Sequence, residues 1–194
     1  MNKFNIIKNK FNLILDLDET IIHSVQFKSF KKKNEQQSDK HKKFQMDDDY
    51  IVHYRPYLDE FLDFIFENFN VSIWTAACKQ YSIHIINKIM HTKQLDYVFF
   101  EDHVSMTSKT TNCLKKLDIL WDVYKLPNYH QQNTFILDDN SDVYTCQPFN
   151  CLKIPMFNYK TDNDSFLLHL ISQLKNLTTI TQIHEMNVAN KHFE

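Results

Sequence analysis

Not one of the 194 residues is a glycine, and this absence constrains the chain more than any residue it contains. Glycine gives tight turns their left-handed backbone without steric cost and lets a main chain approach a ligand closely. A Walker phosphate loop and a dinucleotide-binding fingerprint both need glycines where backbone meets phosphate, so both are excluded. Turns that require positive φ are expected on Asn or Asp, which tolerate that region better than other side chains.

Hydrophobic residues make up 43% of the chain and charged residues 24%, a globular balance at a length that suits one domain. We expect that domain over residues 1–180, followed by a polar tail, 181–194, that contributes in part to a last helix. The formal net charge of −2 gives no bulk argument for nucleic-acid binding. No apolar stretch is long enough to span a bilayer, and MNKFNIIKNK lacks the apolar run and small-residue site of a secretory signal. The four cysteines, Cys78, Cys113, Cys146 and Cys151, form no CxxC pair and have no histidine spacing suited to zinc. They are expected as free thiols in a reducing compartment, which places the protein inside the cell, in nucleus or cytoplasm.

Short apolar runs alternate with helical periodicity. Phe11 to Leu15, Val71 to Trp74, Tyr97 to Phe100, Thr134 to Leu137 and Cys151 to Ile154 read as strands. After Pro56, which suits a first helical position, Leu58, Phe61, Leu62, Ile65, Phe66 and Phe69 recur at helical spacing, with Asp59 and Glu60 at the positive end of the helix dipole. Tyr81 to Met90 and Ser165 to Leu174 read as further helices. This alternation predicts an α/β fold with a doubly wound, mainly parallel sheet. Lys28 to Lys43 is polar, lysine-rich and aperiodic, and is expected as a solvated loop or hairpin tip. Asp47-Asp48-Asp49 precedes a strand-like Tyr50-Ile51-Val52 and reads as a turn.

Three polar positions immediately follow three apolar runs: Asp16 after Leu15, Thr75 after Trp74, and Asp138 after Leu137. The carboxyl ends of parallel strands share one edge, where ligands bind, so these groups are expected in one crevice. Asp16-Leu17-Asp18-Glu19-Thr20 sets two carboxylates two residues apart as a strand ends. One carboxylate can attack phosphorus and the other can move protons to and from the leaving and attacking oxygens. Asp138-Asp139 adds acidic charge that a cation must offset, and magnesium suits a sparse set of carboxylates plus phosphate oxygens. Thr75 can donate to a phosphoryl oxygen, and Lys115 or Lys116 can neutralise one.

In order, LDLDETIIHS (Leu15 to Ser24), RPYLDEFL (Arg55 to Leu62), WTAA (Trp74 to Ala77), CLKKLDIL (Cys113 to Leu120) and ILDDNSDVY (Ile136 to Tyr144) resemble the haloacid dehalogenase superfamily. More closely they resemble the phosphatases that act on the C-terminal domain (CTD) of RNA polymerase II, including their small members. The resemblance runs from about Phe11 to the last helix. It implies a phosphoprotein phosphatase in which Asp16 is the nucleophile and Asp18 the acid/base, while Thr75 and Lys115 bind the phosphate. Mg2+ would be held by Asp16, the Asp18 carbonyl and Asp139, with Asp138 beside them. It also implies a haloacid-dehalogenase-like sheet with a small insertion after the first motif. Small members build a proline-accepting pocket from an apolar strand in that insertion, where this chain has KHKKFQM with only Phe44 and Met46 apolar.

Two rival readings fit less of the sequence. A phospho-aspartate receiver needs no acid/base two residues after its nucleophile, and its acidic pair comes first. A non-catalytic scaffold is expected to carry a broken motif, and none is broken here. No gap is long enough for a large inserted cap, which favours an open cleft, a phosphorylated protein or peptide as substrate, and a monomer without direct nucleic-acid contact.

Overall fold

The computed structural model describes residues 10–27, 41–46 and 49–193. Most of the lysine-rich stretch, residues 28–40, lies outside them, as do Asp47 and Asp48, so the loop expected there is not described; Asp49 is in a turn.

Five parallel strands form the main sheet: β1 (Asn12–Leu15), β5 (Asn70–Trp74), β6 (Val98–Phe99), β7 (Thr134–Asp138) and β8 (Cys151–Lys153), in the order β6-β5-β1-β7-β8. β1 lies at the centre, with Leu15 opposite both Ile73 and Leu137. Its residues are buried throughout, as expected for a strand covered on both faces. Successive side chains divide between two layers. Leu13 and Leu15 share one core with α1 (Leu58–Asn68), α2 (Lys79–Ile89), α6 (Phe166–Leu174) and α7 (Gln182–Asn190). Ile14 shares the other with α3 (Glu101–Thr111), α4 (Asp118–Asp122) and α5 (Ser141–Cys146). The sheet is therefore doubly wound. Chain order leaves β1 toward β5 and returns to β7 on its other side, a topological switch point directly above β1.

The insertion after the first motif is a second, antiparallel sheet of β2 (Ile22–Gln26), β4 (Tyr50–Tyr54) and β3 (Lys43–Met46), in the order β2-β4-β3. Met46 is buried in the main core and Phe44 packs against it.

Several local expectations are corrected. Helix α1 begins at Leu58 rather than at Pro56, because Tyr57 is left-handed (φ 64°) and cannot belong to the helix. Among the described residues, positive φ falls on Asn112, Asn128 and Asn163, as the asparagine argument predicts, but also on Glu19, Tyr57 and Lys125. Cys113 and Cys146 are not free thiols but form a disulfide across 33 residues. The sequence carries no sign of it, because only the fold brings the loop after α3 against the end of α5. Cys78 and Cys151 remain free. Residues 182–190, in the polar segment expected to contribute in part to a last helix, form α7. Asn187 on that helix accepts from the Lys153 amide (2.9 Å) and donates to the Cys151 carbonyl (2.8 Å), closing the edge of β8.

Arg55 ties the two sheets and the C-terminal region together. Its Nε lies 3.0 Å from Asp164, its Nη1 donates to the carbonyls of Thr20 (2.9 Å) and Pro155 (3.0 Å), and its plane lies over the rings of Phe157 and Phe166. A planar, forked cation is required for this set, and lysine cannot replace it. Replacing Arg55 by Met strands the Asp164 carboxylate and two carbonyls. It should cost about 3–5 kcal/mol in urea unfolding, with Arg55→Lys recovering only a minor part. A loss within about 0.5 kcal/mol, the range of ordinary surface substitutions, would contradict this role.

Candidate active site

The turn that follows β1 is built for acidic side chains. The amides of Ile21 and Ile22 donate to the Leu17 carbonyl (2.9 and 3.2 Å), and the Glu19 amide returns to the Ile22 carbonyl (2.8 Å) with Glu19 left-handed at φ 58°. This tight reversal presents Asp16, Asp18 and Thr20 at the strand end. The Asp16 amide donates to the Leu137 carbonyl (3.1 Å), which locks the reversal to β7. At the ends of β7 and β5 stand Asp138 and Thr75, both buried.

Lys115 reaches the same point from the loop between α3 and α4. Its Nζ lies 2.6 Å from Asp16 Oδ1 and 2.8 Å from Asp138 Oδ2, with all three side chains buried. The register of this loop is held by Gln147, which donates to the Lys115 carbonyl (2.7 Å) and accepts from the Leu117 amide (3.0 Å). Lys116 faces the other way, toward the Cys146 carbonyl (3.0 Å) and Asp118. Of the two candidate lysines, Lys115 is the one beside the acidic residues.

Asp16, Asp18, Thr75, Lys115, Asp138 and Asp139 all line one cleft of about 330 Å³, together with Glu19. Of the residues singled out from sequence for this site, these six are brought together, and Lys116, the alternative to Lys115, is not. The cleft's apolar wall comes from Val104, Leu114, Val143 and Met156, whereas Phe44 and Met46 of the insertion pack into the core instead.

Electrostatically the cleft is overloaded with negative charge. Asp16, Asp138 and Asp139 each bring an oxygen within 4.8 Å of one another. Burial, followed by the nearby Asp16, pushes Asp138 up to about 7. The same two causes raise Asp139. Burial raises Asp18 to about 6 despite its hydrogen bond from Tyr81, and burial followed by Asp18 raises Glu19 to about 7. Burial opposes the Lys115 ammonium, but Asp16 and Asp138 together outweigh it and raise the lysine. One ammonium cannot balance this set. The Thr20 hydroxyl, 3.1 Å from both Asp16 Oδ2 and Asp139 Oδ1, has a single proton to give. An all-oxygen donor set with surplus negative charge fits a hard divalent cation.

Sequence reasoning assigned no role to Thr20 or Tyr81. Thr20 is legible as the last position of DxDxT, four residues after Asp16. Tyr81 leaves no such signal: its hydroxyl donates to Asp18 Oδ1 (2.6 Å) only because α2 folds back over the turn.

Residues 11–184 match the model of the NLI interacting factor-like phosphatase family. The chain is 35% identical over 179 residues to a CTD phosphatase-like protein of Invertebrate iridescent virus 6, covering 86% of this chain and 96% of the viral one. It is 29% identical over 150 residues to the ubiquitin-like domain-containing CTD phosphatase 1 of Xenopus laevis, covering 72% of this chain but only 46% of the frog protein. Fission yeast Fcp1, an RNA polymerase II CTD phosphatase solved with beryllium fluoride, superposes with a TM-score of 0.59 at 19% identity. That match spans 95% of this chain and about half, 51%, of the yeast chain, and it shows the shared fold. With the family match running over nearly its whole length, the chain belongs to the NLI interacting factor-like phosphatase family and is a phosphatase of the CTD-phosphatase type.

Proposed function

We propose that the chain is a magnesium-dependent protein serine/threonine phosphatase working through an aspartyl-phosphate on Asp16. The observation that carries this reading is the contrast between the two aspartates of the turn. Asp16 faces the Lys115 ammonium and the Thr20 hydroxyl, while Asp18 faces a neutral phenol and is pushed up to about 6 by burial. Two carboxyl groups in such different surroundings suit two different roles.

In the first step a carboxylate oxygen of Asp16 forms a bond to phosphorus while the bond to the seryl or threonyl oxygen breaks. Asp18 gives its proton to that leaving oxygen. In the second step Asp18 takes a proton from water as the water oxygen attacks phosphorus, and the Asp16 carboxylate is released. Lys115 and Thr75 hold phosphoryl oxygens throughout, and stabilising the charge spread over them is most of the catalytic task. Thr20 aligns Asp16 with Asp139. The residues that would hold magnesium are Asp16, the Asp18 carbonyl and Asp139, with Asp138 beside them. When bound, the ion supplies positive charge to the phosphoryl oxygens and to the crowded carboxylates.

A protein substrate is supported by the accessible rim, where Met156 is 65% exposed, and by the names of the relatives. The RNA polymerase II CTD is one candidate, and other phosphorylated proteins of nucleus or cytoplasm are the alternatives. We read the working form as a monomer without direct nucleic-acid contact and without a membrane span. No described helix is long and apolar enough to cross a membrane.

The two aspartates separate the two steps. Asp18→Asn retains an attacking Asp16 but loses proton transfer, worth roughly 10²–10⁴-fold in rate. On an activated aryl phosphate it should release a burst of product and then stall, with acid-labile phosphate on Asp16. Asp16→Asn should show neither burst nor label. Wild-type turnover by Asp18→Asn would remove Asp18 from the mechanism.

Metal and pH are linked through the raised carboxyls. Asp18, Glu19 and Asp138 titrate at about 6 to 7 when folded, above their ordinary values of 3.8 to 4.5. The metal-free folded state therefore binds more protons than the unfolded chain across that window, and its stability falls as pH rises through it. His23, lowered by burial, acts with the opposite sign but is a single group. Magnesium replaces the missing protons, so the rise in Tm it produces should be larger at about pH 7.5 than at about pH 5. EDTA should abolish turnover. An equal Tm rise at both pH values, or full activity in EDTA, would contradict the metal assignment.

A further inference from the structure

The Tyr81 hydroxyl has two neighbours, Asp18 Oδ1 at 2.6 Å and Ser24 Oγ at 2.5 Å. A phenol has one proton to donate. If Tyr81 gives it to the Asp18 carboxylate, Ser24 must be the donor to Tyr81, and the hydrogen bonds run in one direction from serine to phenol to carboxylate. In this geometry the phenol is the donor to the Asp18 carboxylate, so its role is to orient that group. Each member comes from a different element: Asp18 from the turn after β1, Ser24 from β2, and Tyr81 from the first turn of α2. Tyr50 on β4 packs edge-on against the Tyr81 ring, with centroids 6.0 Å apart.

From this geometry we propose that Ser24 and Tyr81 form a hydroxyl relay that aims the Asp18 carboxyl at the substrate's ester oxygen, which makes Tyr81 a positioning residue. The inference rests on Asp18 being the acid/base, and it gives the insertion sheet a part in catalysis. With one oxygen engaged by Tyr81, Asp18 is left its other oxygen to carry and release the proton. As the phosphorus–oxygen bond breaks, that proton passes to the leaving alkoxide. In the second step the same carboxylate oxygen takes a proton from water as the new oxygen–phosphorus bond forms. Tyr81 keeps its own proton throughout.

The test compares first-turnover rates of Tyr81→Phe on a phosphoserine peptide, whose alkoxide needs a proton, and on p-nitrophenyl phosphate, whose leaving group does not. The peptide rate should fall roughly 10- to 100-fold, the range implied by losing a hydrogen bond to a charged group. KM and the aryl phosphate burst should be unchanged. Adding Tyr81→Phe to Asp18→Asn should cost little more, because the two groups act as one unit. Ser24→Ala should show the same substrate pattern more weakly, with Ser24→Thr restoring it, and these carry the test if Tyr81→Phe fails to fold. Equal losses on both substrates, a loss confined to KM, or no loss on the peptide would each overturn the relay. Failure of the acid/base reading itself looks different: Asp18→Asn would then keep wild-type turnover.

Discussion

The buried ammonium of Lys115 between Asp16 and Asp138 is the interaction on which the rest of the site depends. Two aspartates at the ends of adjacent central strands would repel strongly in an environment that excludes water. The lysine joins them, and so joins the end of β1 to the end of β7. Such a buried ion triad is weak evidence for stability, because desolvating three charges offsets much of their attraction. Its value lies in holding charged groups in place before substrate arrives. Gln147 fixes the loop that carries the lysine, and the Cys113–Cys146 disulfide clamps the same loop to the end of α5.

Around this triad the fold supplies positions and the insertion supplies support. The switch point at β1 puts Asp16 where crossovers diverge on either side, leaving a crevice that no strand fills. Arg55 holds the turn from beneath through the Thr20 carbonyl, so the single arginine of the chain braces the turn after β1 without lining the cleft. The insertion sheet approaches from the other side, through Ser24 and Tyr50, to the residue that contacts Asp18. What holds the turn in shape is thus spread over both sheets.

The parts of this arrangement legible in sequence are those that follow from strand ends. Apolar runs ending in Asp16, Thr75 and Asp138 predicted both the parallel sheet and the gathering of those groups. Residues whose role depends on side-chain reach were not legible. Tyr81 sits on a helix face where an aromatic residue reads as core, and its polar tip meets Asp18 only in three dimensions. Helix α3 buries only Val104 and Thr107, which leaves almost no apolar stripe to read. Helix α7 buries Asn187 and Asn190 beside Ile183 and Met186, so half of its inner face is polar and its sequence looked like a tail. The disulfide and the left-handed Glu19 and Tyr57 depend on tertiary constraint, which overrides local preference.

The central claim is that the phosphoryl group passes onto Asp16 and onto no other carboxylate of the cluster. A crystal structure with magnesium and beryllium fluoride, a mimic of the phosphoryl group, tests this directly. The account predicts beryllium bonded to a carboxylate oxygen of Asp16, with fluorine atoms facing Lys115 and Thr75. Beryllium bonded to Asp18, Asp138 or Asp139 instead would contradict it.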